Sequence, residues 1–399
     1  MQILKDFAPQ LERIQQLADA IEGRTAQLQE AAALDAGFPV KITAFEVQLS
    51  VEHLRSMAEE IPWVEYKAPY GKVAAIFPYD APTVMLARLG GAALLTQNQL
   101  RFSFSSQTPR SAAIIAEIAK PFAPFEAVTQ LDNREFGRGC VEDPSVRVQF
   151  ISGASPVGQV YRTQVDAFDK LFFAGPGGMP AAVVFADADP QLASRFIAAR
   201  AFINGGQYCT TIKKALIHED LFPIVRQQVL AHVARLKVGD PLDPTTDMGP
   251  IKVERTRRIV QNALEKMPEA RIITGGIDGE WVHPLVLESE NQPIPDLELF
   301  GPFLLLQPFA DPNLAVERLV STRYGFLLAF FGTPPAGVRE RFRTNFGMVH
   351  ENPSFFFTPM RLPFGGKKES GWILERNGEG WSERDGAFIY SQELVRQVK

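Results

Sequence analysis

The decapeptide "AFINGGQYCT", Ala201 to Thr210, sets one cysteine behind a pair of glycines, a glutamine and a tyrosine. Glycines before a cysteine can open its sulfur to a cleft, and a nearby positive charge favours the thiolate, the form that attacks carbon. Most lone cysteines are instead buried and inert. Read locally, Cys209 stands open between nucleophile and core residue. Two glycine-bearing stretches lie upstream. "FISGASPVGQV", Phe150 to Val160, is an apolar run that ends in small residues and opens a helix, a geometry that brings backbone N–H groups to a phosphate. Gly153 and Gly158 would serve equally well as turn or packing residues. "LFFAGPGGMPAAVVFADADP" crowds Gly175, Gly177 and Gly178 into a turn before an apolar strand. There the missing Cβ atoms either admit a ligand against the backbone or simply let the chain turn tightly.

The elements that would position these residues alternate between helical and strand periodicity. Before residue 60 the spacing predicts two helices, one on Leu11, Ile14, Leu17 and Ile21, the other less regular on Phe45, Val47, Val51 and Leu54. Strand runs "VRVQF", "AAVVF", "KALIH", "ARIITGG", "HPLVLES" and "PFLLLQPF" alternate with helical runs such as "TVMLARLGGAALLT" and "LFPIVRQQVLAHVARL". That order predicts an α/β fold with a largely parallel sheet. "DPQLASRFIAARAFI" predicts a helix with Leu192, Phe196, Ala199 and Ile203 on one face and Asp189 at its start. The tail "DGAFIYSQELVRQ" begins with strand alternation and is expected to add to a neighbouring sheet or subunit.

Composition narrows the partners. A net charge of -5 with mixed signs leaves no polybasic footprint, so neither nucleic acid nor a membrane surface is expected. No apolar run approaches the roughly 20 residues that span a bilayer, and a cytoplasmic protein is expected. Cys140 and Cys209 are the only cysteines of 399 residues, too few to staple a secreted scaffold. The five histidines show no ligand spacing, so no metal site is expected. A small molecule is the default partner.

Taken together, "FINGGQYCT", "LKVGDPLDPTTDMGPI", "LELFGPF" and "LPFGGKKESG" resemble, in this order, the aldehyde dehydrogenase superfamily. "FISGASPVG" and "AGPGGMP" fall where that family has its cofactor loop and glycine turn. The resemblance runs from about Tyr66 to the C-terminus, with a short N-terminus before it. It implies a Rossmann-like cofactor domain over residues 1–177, a catalytic α/β domain over 178–375 and an oligomerisation tail over 376–399. Residues 60–73 would supply an oligomerisation hairpin, and a homodimer or homotetramer is implied.

Carried over by position, the resemblance makes Cys209 the nucleophile that takes an aldehyde through a hemithioacetal to a thioester, with NAD or NADP as oxidant. Glu298 would hold the nicotinamide ribose, Phe300 would lie beside that ring, and Gly153, Ser155 and Val157 would meet the pyrophosphate and adenine end. Asn204 and Gln207 would shape the cysteine loop. Four departures qualify this. The family's oxyanion asparagine is Asp80 in "PYDAP". An ionised carboxylate about 4 Å from an oxyanion repels it by about 4 kcal/mol at an effective dielectric near 20, whereas a carboxyl kept neutral by burial can donate a hydrogen bond. The family's general base is replaced by Gly175. Without a base, coenzyme A becomes an alternative acyl acceptor, because a thiol ionises near pKa 8.5, far below water, and the reverse reaction, reduction of an acyl thioester, is an alternative too. Ser103 and Ser106 stand where the family has a lysine and a glutamate on the adenosine ribose. Losing that glutamate admits NADP, and losing the lysine weakens either cofactor. Together the four losses would also suit a non-catalytic member of the family.

Overall fold

The computed structural model describes residues 5–152, 170–175, 177–290, 296–357, 359–377 and 380–398. Two seven-stranded sheets carry the architecture. The first runs, edge to edge, Gly380–Arg384, Trp372–Asn377, Leu171–Gly175, Val146–Ser152, Lys72–Phe77, Gln99–Phe104 and Phe125–Val128. Its last five strands are mutually parallel, and the hairpin formed by the first two joins antiparallel. The second runs Met348–Glu351, Leu327–Phe331, Ala181–Val184, Lys214–His218, Phe303–Phe309, Trp281–Glu288 and Arg271–Asp278. Only its final pair is antiparallel. Helices cover the sheet faces, so central strands such as "AAVV" and "LLAFF" are buried on both sides and carry apolar residues without alternation. The expected α/β fold is the one the chain adopts.

Before residue 60 there are three helices, not two: Ala8–Glu22, Thr25–Ala36 and Val40–Arg55. Gly23 closes the first, and Gly37, at φ 78°, closes the second in the left-handed conformation that glycine favours. The middle helix escapes a periodicity search because its alanines give it little contrast between faces. Ile14, Leu17 and Ile21 are buried as expected, with Val47, Val51 and Leu54. Phe45 is not; it is exposed and packs 4.6 Å from Phe357, while its neighbour Glu46 turns inward.

The helix Pro190–Phe202 is capped by Asp189, which accepts from the N–H groups of Gln191 at 2.8 Å and Leu192 at 3.3 Å. Its expected apolar face is shifted. Leu192, Ala199 and Ile203 are only half-buried, whereas Ile197, Ala198 and Ala201 join Phe196 in the interior. This helix lies under the second sheet and against the helix Phe222–Val233, so most of its circumference is covered and one stripe does not describe it.

Residues 60–73 form no hairpin. They hold the short helix Ile61–Val64, a two-residue strand Ala68–Pro69 and the start of Lys72–Phe77. Ala68–Pro69 pairs antiparallel with Val395–Arg396 of the same chain. The tail likewise contributes less strand than its alternation suggests: a single bridge from Phe388 to Phe364, the helical turn Tyr390–Glu393 and those two residues. The chain passes from the first sheet to the second between Leu171–Gly175 and Ala181–Val184, and residues 372–384 return to the first sheet.

Asn98 fastens the tail. Its Nδ2 donates to the Leu394 carbonyl at 2.9 Å in the interior, and its Oδ1 accepts from the N–H of the exposed Gly71 at 2.8 Å. Replacing Asn98 by alanine strands the buried Leu394 carbonyl, at a cost of roughly 1–3 kcal/mol. Asn98→Ala is therefore expected to lower unfolding free energy by about 1–3 kcal/mol in urea titrations, and to expose the last ten or so residues to hydrogen exchange first.

Candidate active site

The cysteine loop begins where Pro190–Phe202 ends. Asn204, Gly205 and Gly206 follow with φ of 52°, 61° and 67°, three successive left-handed residues that swing the chain back on itself. Gly206 must be glycine, because a Cβ there would stand 2.1 Å from the Gly301 carbonyl oxygen. The Gly301 N–H donates to the Gly206 carbonyl at 2.9 Å. Lys213, fully buried, donates from Nζ to the carbonyls of Gly206 at 2.7 Å and Gly301 at 2.6 Å. "FINGGQYCT" and "ELFGP" are thus bolted together by one lysine Nζ and one backbone hydrogen bond. Asn204 and Gln207 are both buried in this loop, and the amide of Asn204 has no hydrogen-bond partner among the described residues.

Gly177 closes the arrangement from a third direction. Its N–H donates to Glu298 Oε1 at 3.1 Å. A Cβ on it would lie 2.9 Å from that oxygen, 3.1 Å from the Phe300 ring and 3.6 Å from the Cys209 Cβ. The glycine turn is therefore a site of close approach, and it brings Glu298, Phe300 and Cys209 within van der Waals reach of one residue. Among the described residues Gly175 meets nothing within 4 Å of its absent side chain.

Asp80 does face the cysteine. Its carboxyl accepts from its own peptide N–H and from that of Cys209, yet burial and the charge of Glu298 outweigh these bonds and push it up to about 7. Glu46 is buried beside it. It takes the hydroxyl of Tyr208, the residue before Cys209, and burial with the nearby Asp80 pushes it up to about 8. Burial also raises the Cys209 thiol, reinforced by Asp80 and opposed by Arg88 and Arg200. Arg88 sits on a π-helical turn, Leu86–Gly90, between the short helices Pro82–Met85 and Gly91–Leu95; such turns recur at functional sites. Its guanidinium lies 4.4 Å from the Phe364 ring and bonds the Tyr390 hydroxyl.

These groups line one cavity of about 830 Å³. Cys209 and Asp80 share its wall with Glu46, Arg88, Met85, Phe357 and Met360, with Glu298, Phe300 and Gly177, and with Ser106, Asn133 and Arg138; the last residues of the parallel strands Lys72–Phe77 and Val146–Ser152 line it too. That crevice is where open α/β sheets hold ligands. Of the residues predicted from sequence, Cys209, Asp80, Glu298, Phe300 and Ser106 meet here. Ser103 does not: it is buried in the strand Gln99–Phe104 and donates to Asn133 Oδ1 at 3.0 Å, one residue behind the wall. Gly153, Ser155 and Val157 lie outside the described residues. Sequence reasoning missed Glu46, Arg88 and the arginines 134 and 138. For Glu46 a signal existed: it follows Thr43 by three residues and precedes Ser50 by four, an acid on the buried stripe of its helix.

The sequence profile of the aldehyde dehydrogenase family matches residues 6–384, including the three N-terminal helices. The chain is 29% identical over 355 residues to phenylacetaldehyde dehydrogenase of Pseudomonas fluorescens, covering 84% of this chain and 69% of that protein. It is 24% identical over 396 residues to 3-sulfolactaldehyde dehydrogenase of Priestia aryabhattai, covering 92% and 82%. The fold superposes on the NAD-dependent aldehyde dehydrogenase of Sinorhizobium meliloti with a TM-score of 0.86 at 22% identity, over 98% of this chain and 81% of that one.

The raised carboxyl of Asp80 has a thermodynamic consequence. Between its ordinary value of 3.8 and about 7, the folded chain holds a proton that the unfolded chain has released, so stability falls as pH rises through that window. Asp80→Asn removes this penalty. The variant is expected to exceed the wild type in unfolding free energy at pH 8 by on the order of 3 kcal/mol, and to match it more closely near pH 4, as read from denaturant titrations at both pH values.

Proposed function

The chain belongs to the aldehyde dehydrogenase family, and from that premise we propose that it oxidises a small aldehyde through a covalent thioester on Cys209. The observation that supports this reading is that Cys209 lines one cavity together with Asp80, Glu298, Phe300 and apolar side chains such as Met85, Phe357 and Met360. A dinucleotide would be held by the polar part of that lining. Glu298 would hold the nicotinamide ribose, Phe300 would flank the ring, and Ser106, Asn133 and the guanidinium groups of Arg134 and Arg138 offer hydroxyl, amide and cationic partners for the adenosine end and its phosphates. The arginines and the absence of an acid at Ser106 leave both NAD and NADP admissible. When bound, the nicotinamide supplies the oxidant, accepting the hydride lost as the hemithioacetal becomes a thioester.

The chain's own groups do the rest. The Cys209 thiolate adds to the aldehyde carbon, and negative charge develops on the aldehyde oxygen. A protonated Asp80, whose carboxyl already accepts the Cys209 peptide N–H, is the donor for that charge. The proton on Asp80 acts twice: it makes the carboxyl a donor, and it removes a negative charge that holds the thiol up, leaving Arg88 and Arg200 to favour the thiolate. A second reading, transfer of the acyl group to coenzyme A, draws on Gly175, which leaves the family's base position without a side chain.

The purified chain, mixed with NAD or NADP and short, long and aromatic aldehydes, is expected to generate reduced cofactor at 340 nm without coenzyme A. An absolute need for coenzyme A selects the acylating reading instead. Cys209→Ala is expected to remain folded and lose all turnover; persistent turnover would remove Cys209 as nucleophile. Asp80→Asn keeps an N–H donor that does not ionise. Its activity is expected to hold above pH 7, where the wild type declines as Asp80 ionises, and an unchanged pH profile counts against Asp80 as a donor.

A further inference from the structure

Glu46 is an unusual wall for an aldehyde pocket. It lies on the N-terminal helix Val40–Arg55, is 5% exposed, and lines the same cavity as Cys209. No lysine, arginine or histidine comes within salt-bridge distance of it among the described residues, and its one hydrogen-bond partner there is the Tyr208 hydroxyl on Oε1. A buried carboxyl without a cation is costly and calls for another reason to be present. Oε2 carries no donor from the described residues, yet it is not sealed away as an unpaired buried atom, so it faces the cavity space.

The site lacks a group that the thioester needs. Hydrolysis requires a base to take a proton from water, and Gly175 presents no side chain for it. Three carboxyls line the cavity: Glu46, Asp80 and Glu298. Asp80 is bound by two peptide N–H groups beside the sulfur, at the place of the developing oxyanion. Glu298 holds the Gly177 N–H on the glycine-turn side. Glu46, the remaining carboxyl among the described residues of the lining, is anchored by one oxygen to the residue adjoining Cys209 and open at the other.

We propose that Glu46 is the base that activates water against the Cys209 thioester, in place of the side chain that Gly175 lacks. This rests on the reading of Cys209 as nucleophile. The water oxygen bonds to the acyl carbon as Oε2 takes one of its protons. The tetrahedral adduct then collapses, the carbon–sulfur bond breaks, and the sulfur leaves as thiolate. The proton held by Glu46 returns to the sulfur, so thioester plus water gives carboxylic acid plus thiol with no change of oxidation state. Burial makes the Glu46 carboxylate a stronger base than an exposed one. The Tyr208 hydroxyl fixes its orientation against the backbone that carries the sulfur.

Glu46→Gln keeps the acceptor for Tyr208 and removes the base. In stopped-flow mixing with cofactor and the best aldehyde substrate, the variant is expected to give the wild-type burst of reduced cofactor. Turnover should then be slowed at least about 100-fold, in the range of a lost general base. Intact mass should show the acyl adduct accumulating on Cys209, and hydroxylamine, which needs no base to attack a thioester, should restore turnover. Glu46→Asp, with the carboxylate drawn back by one methylene, should keep the burst and fall between the two in turnover, which serves if the amide disturbs packing. If Glu46→Gln releases its adduct as fast as the wild type, or loses burst and turnover in equal measure, the base assignment is overturned while Cys209 stands. If the wild type forms no adduct, both readings fall.

Discussion

The site depends on one crossing of backbone. Gly206 and Gly301 approach so closely that no side chain fits between them, and buried Lys213 holds both carbonyls from the same Nζ. Burial pushes the Lys213 amine well below its ordinary value, and its two hydrogen bonds at 2.6 and 2.7 Å fix it between the carbonyls. The crossing converts two distant stretches of sequence into one rigid body, the cysteine loop on one side and Glu298 with Phe300 on the other. Gly177 then reads that body from the neighbouring turn, close enough to touch both halves. Precision at Cys209 is therefore set by glycines and one lysine, none of which would take part in the chemistry.

Around this frame the electrostatics are unusual for a cysteine that attacks carbon. Asp80 and Glu298 disfavour the thiolate, and only Arg88 and Arg200 oppose them. The balance shifts by protonation. Each carboxyl neutralised removes a repulsion that, at roughly 4 Å and an effective dielectric near 20, is on the order of several kcal/mol. Asp80 also bears on Glu46, whose proton affinity it raises when charged. Such a pair titrates as a unit rather than as two independent acids.

The sequence disclosed the parts that rest on order and on absent side chains. Cys209, Glu298 and the glycine turn were legible because their stretches follow one another in a family order, and because Gly177 and Gly206 mark places where a Cβ cannot stand. The fold class followed from alternating periods of helix and strand. What was hidden required contact. Helical spacing assigned Phe45 to the interior and passed over Glu46, yet the chain turns Phe45 out onto Phe357 and Glu46 in. Ser103 was placed on the cofactor by position, but a strand's alternation sends it to Asn133 instead. The hairpin expected at 60–73 failed because its first residues are helical and its short strand pairs with residues more than 320 positions away. No local pattern encodes such a pairing.

Departures that look like losses when taken singly form a consistent set in space. Asparagine to aspartate at position 80 would harm an oxyanion site if nothing kept the carboxyl neutral, but here burial, with the charge of Glu298, does so. Glycine at position 175 would leave a thioester without a base, but Glu46 adds a carboxyl to the lining of the same cavity. The N-terminal helix thus bears on the second change through the open oxygen of Glu46. A chain drifting away from catalysis has no reason to keep a buried, cation-free carboxylate against the tyrosine that precedes its only cavity-lining cysteine among the described residues. The cost of burying Glu46 is the physical argument that the site is retained for chemistry rather than left over from it.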